Sequence, residues 1–158
     1  MRGPLPGVEP LVAPIFFSFT QVREDLAAHT AGLSAEEIWR PVGSLPTLGF
    51  HLRHIAGSVD RLTTYLMGEA LDPDQLAFLK QEAEPGASLE ELLAGVDAAL
   101  RRSEERLAQI DPATPHEPRW IGRKRLPTTV LGLLVHIAEH TQRHLGQAIT
   151  TAKLLREV

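Results

Sequence analysis

The line Leu48, Leu52, Ile55, Val59, Leu62 and Leu66 constrains this chain more than any other feature of its sequence. Spacings of three and four, sustained from Thr47 to about Gly68, put these side chains on one face of a long amphipathic helix. Such a helix owes its stability in water to packing along that face rather than to propensity alone, so partners of similar length are required. Three segments supply them. The stretch LVAPIFFSFTQVREDLAAHTAGL has Ile15, Phe19, Val22 and Leu26 at helical spacing and a stop at Gly32. A second begins at the S-x-x-E capping box Ser88-Leu89-Glu90-Glu91 and runs through Leu92, Leu93, Val96, Leu100, Leu107 and Ile110 to Asp111-Pro112. The longest spans Thr128 to about Arg156.

Between these lie shorter elements. The capping box Ser34-Ala35-Glu36-Glu37 predicts a short helix ending before Pro41, and Asp72-Pro73-Asp74 predicts another through Phe78, closed by Pro85-Gly86. A linker holding Pro112, Pro115, Pro118 and Trp120 leads to Pro127, and no alternating run long enough to make a sheet is present. The expected fold is therefore all-α, a four-helix bundle with short extra helices in the connections. Residues 1–10 form a Pro/Gly-rich segment and 11–158 a single bundle domain, as expected for a chain of 158 residues.

Composition removes several functions. A net charge of -4 offers no basic patch for nucleic acid, and the absence of cysteine excludes disulfides, thiolate ligands and a cysteine nucleophile. Any metal site must use histidine and carboxylate. The proline-broken start, MRGPLPGVEPLVAPIFF, has no apolar run long enough for a signal sequence or a membrane span, so a cytoplasmic protein with no membrane partner is expected.

Three of the seven histidines, His136, His140 and His144, stand four apart in VHIAEHTQRHLGQ. With about 100° per residue, His144 lies on one flank of the apolar arc of its helix, His140 about 40° outward, and His136 about 40° beyond that. Histidines at i and i+4 sit one turn apart on a shared face, near enough for both rings to reach one metal ion, and His140 and His144 are the better pair. A further ligand must come from elsewhere, and FHLRHIAGS offers His51 and His54. His51 lies closer to the Leu48-Ile55-Val59 line and His54 about 60° toward the flank, which leaves the choice open. No carboxylate occupies an obvious flanking position, so no general base is nominated. His29 and His116 read as ordinary surface histidines.

The segments WRPVGSLPTLGFHLRHIAGSVDRL and LLVHIAEHTQRHLGQAITTAKLLRE resemble the two signature regions of the DinB/YfiT-like superfamily of small four-helix proteins. A tryptophan and a proline-led entry precede a helix histidine in an H-I-A context, and the last helix carries H-x3-H followed by G-Q. The resemblance implies metal ligands at His54, His140 and His144; His51, His136, Arg143 and Gln147 stand close to these in the sequence and are candidate outer or substrate-positioning residues. Arg143-His144-Leu145-Gly146-Gln147 matches the R-H-x-G-Q ending, whereas His51 and His136 are histidines the pattern does not demand. It further implies a divalent ion (zinc, nickel or iron), a small-molecule substrate and a low-molecular-weight thiol as cosubstrate, because characterised relatives include thiol-dependent transferases and an isomerase. A metal-dependent transferase or hydrolase is thus the expected activity. The alternative is a non-catalytic metal-binding bundle of the stress or damage response; a homodimer is compatible with either.

Overall fold

A computed structural model describes residues 3–157. Four long helices, α1 (Ala13–Thr30), α3 (Leu48–Leu66), α5 (Leu89–Leu107) and α6 (Val130–Leu155), form the bundle. Two short ones, α2 (Ala35–Trp39) and α4 (Pro73–Gln81), lie in the connections. Expected boundaries hold to within a few residues because the caps hold: Ser34 and Ser88 accept from the backbone N–H of Glu37 and Glu91, whose side chains reach back to the cap. Asp72 forms the same reciprocal box with Gln75, and Thr47 and Thr129 cap α3 and α6.

Helix α3 is the centre of the packing, lying against α5 and α6, while α1 lies against α6 and, less extensively, α5. The apolar line of α3 lies in the core: Leu48, Leu52, Ile55, Val59 and Leu66 are fully buried with Phe19, Leu100, Leu133 and Ile137. Side-chain contacts fix the helix directions. Ser18 meets Ala138 and Gln142 while Arg156 donates to Ala31 O, so α1 and α6 run the same way. His51 faces His144 and His54 faces His140, so α3 opposes α6; Thr63 meets Ser103 and Glu69 meets Arg106, so α5 follows α3.

Parallel α3 and α5 require the connection between them to travel back along the bundle, and residues 67–88, with α4 among them, do so. Its return is pinned at the start of α3, where Arg53 Nη1 donates to Gln81 O (2.7 Å) and Trp39 Nε1 to Ala87 O (2.8 Å). Trp39 lies flat enough on α3 that a Cβ at Gly49 would stand 2.7 Å from its ring, so only glycine permits the approach.

The expected linker before α6 is not irregular. It holds an antiparallel hairpin, β1 (Pro118–Ile121) and β2 (Leu126–Thr129), with Pro118 opposite Thr129 and Trp120 opposite Pro127. Strands of four residues are too short for alternation to register, and a two-stranded ribbon leaves each strand a free edge where a proline lacking N–H is harmless. The turn uses Gly122 and Arg125, both at positive φ, closed by Arg125 N–H to Gly122 O (3.0 Å). Arg119 Nε donates to Leu66 O, tying the hairpin to the end of α3. Among the described residues no helix is long and apolar enough to cross a membrane.

Candidate metal centre

The leucine line of α3 and the apolar face of α6 pack together, and the histidines on their flanks are thereby brought edge to edge. His54 Nε2 lies 3.0 Å from His140 Nε2. His144 joins them, its ring centroid 4.2 Å from that of His54 and 4.6 Å from that of His140. Each of the three offers a nitrogen within 4.8 Å of the others, and together they form a group that could hold a metal ion. Imidazole nitrogens bound tetrahedrally at about 2.0–2.1 Å stand roughly 3.4 Å apart, so the observed separations suit one ion. All three rings are half-buried, neither sealed in the core nor free in solvent.

The electrostatics favour ligation. Burial, with a smaller contribution from neighbouring His54, pushes His140 and His144 from the ordinary 6.5 down to about 4, so both rings are neutral at pH 7 with lone pairs available. His51, 2% exposed, is lowered to about 4 for the same reasons. One buried atom has no hydrogen-bond partner among the described residues at this site: His140 Nδ1.

These depressions set a pH dependence for the metal-free protein. Above pH 6.5 the rings are neutral both folded and unfolded and do not discriminate between the states. As pH falls from 6.5 toward 4 the unfolded chain takes up protons that the folded one refuses, so stability is lost through that window. Below it a second decline is expected, because Arg23 and then Arg101 hold the Asp97 carboxyl below its ordinary range. Thermal midpoints recorded in chelator across pH 4 to 7 check this; a flat profile would contradict it.

The other residues singled out in the sequence sit around the three. His51 is buried behind them with Nδ1 3.4 Å from His144 Nδ1. His136 is outermost, its Nδ1 3.4 Å from Glu139 Oε2 and its ring 5.3 Å from that of His140. Arg143 and Gln147 are exposed; Arg143 pairs with Glu139, and both line an open pocket of about 270 Å³ with His51, Leu45, Pro46 and Thr150. His116 is exposed as expected and His29 is half-buried on α1.

A carboxylate does flank the site, contrary to the sequence reading. Glu82 Oε2 lies 2.7 Å from His54 Nδ1, and its Oε1 accepts from Arg61 Nη1 at 2.7 Å. Nothing in KQEAE distinguishes Glu82 from its neighbours, since it follows the last turn of α4 and reaches the site only through the returning connection. Arg61 carries a signal: it stands seven residues beyond His54, on the same side of α3.

A helical bundle whose facing helices bring ring nitrogens together at the edge of the core is a recognised way of building metal sites. The chain belongs to the DinB superfamily, whose family model matches residues 18–148. No curated protein matches the sequence.

Proposed function

We propose that the protein is a metal-dependent enzyme that binds a divalent ion through His54, His140 and His144 and acts on a small molecule, with a low-molecular-weight thiol or water as the nucleophile. The observation carrying this reading is the three-histidine group, to which no fourth ligand is added among the described residues. Structural sites are usually closed by four protein ligands, whereas a three-ligand site leaves positions for reactants. Three neutral imidazoles suit zinc, nickel or iron(II). Such an ion supplies Lewis acidity, which lowers the pKa of a water or thiol at the open position.

The chain's own residues supply the remainder. His51, itself buried, packs behind His144. Arg143 and Gln147, on the rim of the adjoining pocket, offer a positive charge and an amide to a substrate carrying an anionic or carbonyl group. Thiol transfer to an electrophile and hydrolysis are the two reaction classes such a centre serves.

Elemental analysis of protein purified without a histidine tag is expected to find about one divalent ion per chain, and the loaded protein to accelerate consumption of a small thiol by an electrophile. An ion without turnover of thiol or water would favour the alternative, a non-catalytic metal-binding bundle. Failure to bind zinc, nickel or iron after reconstitution would overturn both.

A further inference from the structure

Arg61 and Glu82 are 8% and 3% exposed, and a buried ion pair alone is a poor reason for two charges to be there. Desolvation offsets most of their attraction, and apolar replacements of similar volume often match or improve stability. Here the carboxylate serves two partners, one oxygen toward Arg61 Nη1 and the other toward His54 Nδ1, each at 2.7 Å. Helix α3 is shaped to admit it. A Cβ at Gly57 would meet Glu82 Oε1 at 2.5 Å, Arg61 Nη1 at 2.6 Å and Phe78 Cε1 at 2.8 Å. A glycine in mid-helix is destabilising relative to alanine, and at this position it is what leaves room for the carboxylate.

We infer that Glu82 is the positioning residue of the three-histidine centre, with Arg61 and Gly57 as its supports; this rests on the metal-binding reading above. A carboxylate engaged by a guanidinium accepts hydrogen bonds and donates none, so His54 must present Nδ1–H to Glu82. Its Nε2 is then left bare and turned toward His140 and His144. Free imidazole rings exchange tautomers and rotate; this one is held in the tautomer and orientation that ligation needs. The returning connection after α4 therefore contributes to the centre without touching an ion.

Two variants separate positioning from structure. In Glu82→Gln, Arg61 claims the amide oxygen and the NH2 group faces His54 Nδ1, which forces the ring proton onto Nε2. In the double variant Arg61→Met/Glu82→Leu, the charges leave together, so the fold is expected to survive while the hydrogen bond to His54 is lost. Ring-nitrogen NMR of the metal-free proteins is expected to show His54 protonated at Nδ1 in the parent and not in Glu82→Gln. Zinc affinity, measured by competition with a chromophoric chelator, is expected to fall by about 10- to 100-fold in both variants, the usual cost of losing a ligand's outer partner. Parent-like zinc affinity in a folded double variant, or a parent His54 protonated at Nε2, would overturn the role of Glu82 and leave the metal-binding reading standing. A parent that binds no zinc, nickel or iron would overturn the metal-binding reading and the role that depends on it, whatever the tautomer.

Discussion

Replacing His140 with alanine is expected to abolish stoichiometric binding of a divalent ion while leaving the helical circular-dichroism signal largely intact. His140 brings Nε2 to 3.0 Å from His54 Nε2, and its loss leaves two imidazoles. The affinity should fall by more than the ~100-fold upper cost of losing an outer partner, because here a ligand itself is lost. The helix survives because α6 is held by Leu133, Ile137, Leu145 and Ala148, all buried, whereas His140 lies on the flank. His54→Ala should behave alike, and His29→Ala should change neither property. Equilibrium dialysis followed by elemental analysis reads the outcome. Retention of one ion per chain by His140→Ala would remove it from the ligand set; loss of the ion in His51→Ala but not in His54→Ala would reassign the α3 ligand.

The largest effect on stability is expected at Phe19. Its ring is fully buried on the face of α1 that meets the bundle core. Truncation to alanine removes the aromatic volume and leaves a cavity that rigid helices close only in part, at a cost of about 3–5 kcal/mol. Domains of this size are stable by about 5–15 kcal/mol, so roughly a fifth or more of the margin would be lost. Urea denaturation should show a lowered midpoint with an unchanged slope, the signature of a stability change without a change of the states compared. A shift below about 1 kcal/mol would mean that the site collapses around the missing ring.

The bundle was legible because its signals are local and repeated. Leu48 to Leu66 needs only a 3.6-residue period to be recognised, and Ser34 and Ser88 announce their helices within four residues. The histidine spacing on α6 belonged to the same category. On α3, angular position separates a buried His51 from a flanking His54 without settling the choice, and the family resemblance points to His54. The structure brings His54 into the three-nitrogen group and places His51 behind it. What the sequence hid depends on tertiary routing. The hairpin at Pro118–Thr129 has strands too short to show a period, and its prolines read as irregular chain. Glu82 is one of several acidic residues in its segment until α5 is known to run parallel to α3, which turns the connection back toward His54. A side chain whose position depends on helix direction leaves no mark in periodicity.

The pairing of α3 with α6 also sets a sequence of events during synthesis. His54 and His140 are 86 residues apart, and at about 5–20 residues per second a ribosome takes roughly 4 to 17 s to pass from one to the other. For that interval the α3 histidines have no α6 to face, while the rest of α3, then α4 and α5, are completed and become available to pack. An ion shared by all three rings, as proposed above, would therefore be acquired late, after α6 docks, and a nascent chain stalled before His140 would lack it.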